Sequence, residues 1–220
     1  MNIAESIRSL QRSIPGHVKI VAVSKTKPVE AILQAYEAGQ KIFGENKVQD
    51  LVLKHSQLPS DVEWHFIGHL QTNKVKYISP FIRFIHSIDS LNLLTEVDKE
   101  AVKNNRITNC LLQFHIATED TKFGLSLEEA ELILGSEHFT NMHNVRIAGV
   151  MGMSSFTEDM EVVRKEFKTL YGYFRLLKSR YFYHTDSFRE LSMGMSGDYL
   201  IAIEEGSTMV RIGTSIFGNR

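Results

Sequence analysis

The chain has 220 residues, 43% of them hydrophobic and 23% charged, which supplies a sizeable core and excludes a disordered segment. The 25 Lys and Arg residues against 26 Asp and Glu leave a formal net charge of −1, which argues against a polyanion-binding surface and so against nucleic-acid partners. A single cysteine, Cys110, excludes an intramolecular disulfide framework and a cysteine-cluster metal site, and suits a reducing compartment.

The first residues lack a basic stretch followed by an apolar core, and no apolar run is long enough to span a bilayer. The expectation is a soluble, cytoplasmic protein with no membrane partner. Ile3, Ile7, Leu10 and Ile14 recur at helical spacing and predict an amphipathic helix ending at Pro15-Gly16. Residues 18–24 read as the first strand. Pro28 then opens a helix carrying Ile32, Leu33, Tyr36 and Ala38, which Gly39 stops. The alternation repeats with a short strand at 41–45 and a helix at 46–55, then a strand at 63–68 and helical residues 71–78 up to Pro80. A strand at 84–88 precedes a helix at 91–102. A strand at 110–116 is followed by a helix at 127–134, which Ser126 and Glu129 open as a capping box. A sixth strand at 145–151 leads into the longest helix, 158–179, with Val162, Val163, Phe167, Leu170, Phe174 and Leu177 on one side. A short strand at 190–193, a helix at 197–203 and a last strand at 209–212 complete the pattern.

Eight strands alternating with helices, behind one extra N-terminal helix, predict an α/β fold, a single-domain (β/α)8 TIM barrel over residues 1–220. The second and seventh strands are only a few residues long, so an open sheet of six or seven strands is the competing architecture.

In a barrel, chemistry sits at the C-terminal ends of the strands. The first strand ends on Lys25, a primary amine at the mouth that is a candidate Schiff-base former; a solvated strand-end lysine is the alternative. Lys27, before Pro28, belongs to the turn into the helix. The second strand runs into Gly44-Glu45-Asn46, the seventh into residues 192–197, Ser-Met-Gly-Met-Ser-Gly, and the eighth carries Arg211-Ile212-Gly213-Thr214. The last two are neighbours in a barrel and together could form a phosphate cup, against the alternative of two ordinary capped turns. Strand parity puts Val21, Val23 and Lys25 on one face and Met209, Arg211 and Gly213 on another. If both are inward faces, amine and guanidinium share the mouth; a salt bridge from Arg211 to Glu45 or Asp89 is the alternative. The nine histidines show no metal-ligand spacing, and His65, His86 and His115 in strands read as core or rim residues. Lys122, in Thr121-Lys122-Phe123-Gly124 after the fifth strand, reads as a solvated turn lysine. There is no nucleophile elbow, P-loop or dinucleotide fingerprint.

Six blocks stand in order along the chain: VAVSKTKP at 21–28, FGENKVQD at 43–50, WHFIGHLQTNK at 64–74, TKFG at 121–124, LSMGMSGD at 191–198 and GSTMVRIGTSIFG at 206–218. Together they resemble the pyridoxal phosphate homeostasis proteins. Those proteins are barrels that bind pyridoxal 5'-phosphate (PLP) and are related to the N-terminal domain of alanine racemase. The resemblance implies that Lys25 is the Schiff-base lysine and that Arg211 faces the pyridine nitrogen. It further implies that Ser192, Gly213 and Thr214 hold the phosphate, with Ser196 and Asn46 completing the pocket. An arginine at the pyridine nitrogen leaves the ring largely unprotonated and a poor electron sink. The implied function is reversible PLP binding for intracellular PLP homeostasis, without turnover, with apo PLP-dependent enzymes as recipients and a monomer or weak homodimer as the working form. An amino-acid racemase is the alternative; against it stands the absence of the racemases' second domain from a chain that stops at Arg220. A barrel enzyme acting on a phosphosugar, without PLP, is the third reading. Two departures from the family pattern, His69 where many members have proline and the aromatic stretch 180–189, are expected to alter the pocket rim.

Overall fold

In the computed structural model, which describes residues 2–118 and 123–218, eight parallel strands close into a barrel in chain order. Helix α1 (Ile3–Ser13) precedes it. The repeating units are β1 (Lys19–Val23) and α2 (Val29–Glu37), β2 (Ile42–Glu45) and α3 (Val48–His55), β3 (Glu63–Phe66) and α4 (Val75–Ile78), and β4 (Phe84–Ile88) and α5 (Leu91–Lys103). They continue as β5 (Thr108–Phe114) with α6 (Leu127–Leu134) and α7 (Glu137–Thr140), β6 (Val145–Gly152) with α8 (Met160–Tyr181), β7 (Glu190–Ser192) with α9 (Tyr199–Glu204), and β8 (Met209–Ile212) with α10 (Thr214–Phe217).

Closure is made by β8 pairing with β1, with Val21 opposite Arg211, which removes the open-sheet alternative. The thinnest seam is β7 to β8, where the strand register holds one residue pair, Ser192 opposite Met209. Backbone bonds from Thr208 to Leu191, from Met193 to Met209 and from Arg211 to Gly194 cross it, and side chains reinforce them. The Ser207 hydroxyl lies within hydrogen-bond distance of the Leu191, Met193 and Met209 carbonyls, and Thr208 Oγ1 accepts from the Leu191 amide at 2.8 Å. At the β6–β7 seam the backbones approach so closely that a Cβ on Gly149 would stand 1.7 Å from the Glu190 carbonyl oxygen, so only glycine fits there.

Element boundaries follow caps more than hydrophobic period. Asp159 accepts from the Glu161 and Val162 amides and sets the start of α8 at Met160, two residues after the expected position. The capping box of Ser126 and Glu129 forms as expected. Residues 71–78 divide into a 3-10 turn, Thr72–Lys74, and the short α4. The short helices α7 and α10 have too few turns to show a period, and α7 is announced only by its cap, Ser136 accepting from the Phe139 amide.

The main core lies between the strands and the surrounding helices, around Phe43, Trp64, Phe66, Leu51 and Ile78. A smaller apolar cluster of Phe84, Leu111, Ala148 and Met151 fills part of the barrel interior. The aromatic stretch 180–189 precedes β7 and therefore enters the end of the barrel opposite the mouth, which corrects its expected place at the rim. Phe182 and Phe188 are buried and stacked at 4.3 Å, with Phe174 stacked on Phe188 at 5.2 Å, so this part of the stretch anchors the end of α8. No helix among the described residues is long and apolar enough to cross a membrane.

Candidate functional site

The C-terminal ends of the strands enclose a cavity of about 620 Å³. Lys25, Asn46, Ser196, Arg211, Gly213 and Thr214 all line it, so strand ends β1, β2, β7 and β8 bring six of the seven expected residues together. The seventh, Ser192, is fully buried and is not part of the cavity wall. Its hydroxyl accepts from Arg211 Nη1 at 2.6 Å and sits 3.1 Å from His86 Nδ1, which places it behind the guanidinium rather than at an anion site.

Lys25 is held by what precedes and follows it. The Ser24 amide donates to the Gly44 carbonyl at 3.0 Å, and the Ser24 hydroxyl donates to Glu45 Oε1 at 2.6 Å. The next residue, Thr26, has φ of 65°, a left-handed conformation that is costly for a β-branched side chain. That turn sends Lys25 into the cavity and Lys27 away from it. The Lys27 amine donates to the Phe217 and Gly218 carbonyls at 3.2 and 3.1 Å. The Lys25 amine makes no hydrogen bond or ion pair with any described residue. Lys122 lies outside the described residues.

Arg211 is 4% exposed and has no carboxylate partner among the described residues. Nη1 donates to the Ser192 carbonyl at 2.9 Å as well as to its hydroxyl, and Nη2 donates to the Gly152 carbonyl at 2.9 Å. The carboxylates considered as partners from sequence are engaged elsewhere: Glu45 pairs with Lys54 at 2.6 Å, and Asp89 lies 3.2 Å from His69 Nδ1. Burial lowers the guanidinium to about 10, against the opposing charge of Asp198, so it remains charged at neutral pH.

Three loops are tied together at the mouth. Ser196 Oγ accepts from the Gly213 amide at 3.2 Å, linking the turns after β7 and β8. Asp198 accepts from the Met195 amide and from the Ser154 hydroxyl, the latter at 2.7 Å, linking the loops after β6 and β7. Gly194, with φ of 94°, makes the bend between them; a Cβ there would fall 2.6 Å from that of Ala202. His69 is at the rim as expected, stacked on Phe123 at 4.3 Å.

Sequence reasoning missed the far wall, where Met153, Ser154, Phe156, Met160 and Val163 make the cavity mostly apolar. A signal was available: Met-Gly-Met-Ser occurs at both 151–154 and 193–196, each time where a strand gives way to a mouth loop. Among the described residues no group of three or more His, Cys, Asp and Glu side chains is placed to hold a metal ion.

The family model described as alanine racemase, N-terminal domain, matches residues 1–220, and the chain belongs to that family of barrels. Within it the chain stands with the pyridoxal phosphate homeostasis proteins. It is 41% identical over 203 residues to the one from Aquifex aeolicus, covering 92% of this chain and 87% of that protein. PipY of Synechococcus elongatus PCC7942, solved without PLP, superposes with a TM-score of 0.91 at 33% identity over 98% of this chain and 100% of that one. The structure of PipY with PLP bound superposes with a TM-score of 0.87 at the same identity and coverage.

Proposed function

We propose that this protein binds PLP at the barrel mouth and holds it reversibly for other proteins, without turning over a substrate. The observation that carries this reading is an amine free of described partners, Lys25, in one cavity with a buried guanidinium from the adjoining strand. The likeness to PipY, a protein solved with PLP bound, supports the choice of ligand.

The residues fit that cofactor. When bound, PLP supplies an aldehyde that condenses reversibly with a primary amine. Lys25 presents the amine. Arg211 presents N–H groups to an acceptor nitrogen and, being a donor that keeps its proton at neutral pH, leaves that nitrogen unprotonated. The Thr214 hydroxyl and the Gly213 amide offer donors to a phosphate, the latter now on a long 3.2 Å bond to Ser196 that a phosphate oxygen can replace. Asn46 completes the wall between β2 and β3, and Ser192 acts through Arg211. The absence of turnover is supported by Arg211, a donor that leaves the ring nitrogen unprotonated and the ring a poor electron sink. The proposed setting is the cytoplasm, which suits the free, buried thiol of Cys110, and the proposed recipients are apo PLP-dependent enzymes.

Adding PLP to the purified protein is expected to produce an absorbance band at ~420 nm, and no band at any concentration would contradict the reading. Incubation of the loaded protein with D- and L-alanine separately is expected to leave each unchanged; racemisation would replace the carrier with an enzyme.

A further inference from the structure

Behind Arg211 lies a row of polar side chains that the binding of PLP does not itself use. Ser192 Oγ, between Arg211 Nη1 and His86 Nδ1, is followed by His86 Nε2 at 2.9 Å from His65 Nδ1. The four residues come from β8, β7, β4 and β3, and each is at most 4% exposed. His65 Nε2 is buried with no described partner.

The direction of this row follows from counting donors. A guanidinium only donates, so the Ser192 oxygen accepts from Arg211 and has one proton left to give. Burial holds both imidazoles neutral, His65 at about 3 and His86 well below its ordinary value, so each has one N–H and one lone pair on nitrogen. With Ser192 donating to His86 Nδ1 and His86 Nε2–H donating to His65 Nδ1, the sole unpaired group is the His65 Nε2–H. With the direction reversed, the Ser192 proton and the His65 Nε2 lone pair are both stranded. The first arrangement costs less and turns the negative end of each dipole toward the cation.

We propose that His86 and His65 are positioning residues, a neutral relay that orients the Ser192 hydroxyl so that it holds Arg211 charged and aimed into the cavity without neutralising it. A carboxylate in that place would pair with the guanidinium and reduce its attraction for an acceptor from the cavity. The relay keeps the cation both fixed and available. This rests on the reading of Arg211 as the partner of the PLP ring nitrogen, but the relay itself exists in the ligand-free protein.

Two measurements test it. In the ligand-free wild-type protein, nitrogen NMR of the histidine rings is expected to show His86 and His65 each protonated on Nε2 and bare on Nδ1; protons on both Nδ1 atoms would overturn the relay whatever the protein binds. For PLP titrated by absorbance, His86→Leu is expected to weaken binding by about tenfold or more, because the Ser192 proton loses its acceptor. His86→Asn, which restores an acceptor at the Nδ1 position, is expected to recover most of that loss. Equal weakening by both variants, or none by His86→Leu, would overturn the proposal. A wild-type protein that shows no PLP band would instead remove the reading of the site, leaving the NMR result to decide the relay.

Discussion

Lys25 and Lys27 stand two residues apart and go opposite ways, because a strand alternates faces and Thr26 turns the chain at φ of 65°. Lys25→Ala is expected to abolish the ~420 nm band. Lys27→Ala is expected to keep the band and to cost about 1 kcal/mol of stability from its bonds to the C-terminal carbonyls. Absorbance titration and urea unfolding of the two variants check this. Parity made Lys25 and Arg211 legible in the sequence, since both faces are set by the strand alone. It could not assign Ser192, which ends β7 within reach of the mouth but meets Arg211 first. That meeting depends on how far a guanidinium from β8 reaches across the barrel, which strand period does not encode.

At the scale of elements, the end of β1 is fixed from behind by α3. Lys54, 8% exposed in its side chain, donates to Glu45 Oε1 at 2.6 Å and to the Ser24 carbonyl at 2.9 Å, so strand ends β1 and β2 share one buried cation. Glu45→Gln leaves that ammonium buried without its counter-charge and is expected to lower stability by about 3–5 kcal/mol in urea unfolding. Replacing the pair with Glu45→Leu and Lys54→Met together is expected to recover much of the loss; a double variant as unstable as the single would show that the pair itself, rather than the stranded charge, sets the cost. Strand and helix order was legible because each helix buries a periodic face. The division of residues 71–78 and the late start of α8 were not, because a local turn and the Asp159 cap decide them.

The whole barrel carries a cost at acid pH. Burial lowers the folded-state pKa of both His65 and His86 below the ordinary 6.5, to about 3 for His65. Between those values the unfolded chain takes up protons that the folded one refuses, so stability falls as pH falls, by about 1.4 kcal/mol per pH unit for each histidine. Urea midpoints are therefore expected to drop between about pH 6.5 and 5, above the carboxylate range. A flat profile there would contradict a buried neutral pair. Eight-fold alternation made the closed barrel legible. Its far apolar wall was not, because Met153 and Val163 line one cavity only once the loop after β6 and helix α8 are packed together.

The central claim is that one lysine of the barrel mouth carries the cofactor, and borohydride reduction of the PLP-loaded protein followed by peptide mapping tests it most directly. The expected result is a single pyridoxyl group on Lys25. A label on Lys27, Lys122 or any other lysine in its place would contradict the account.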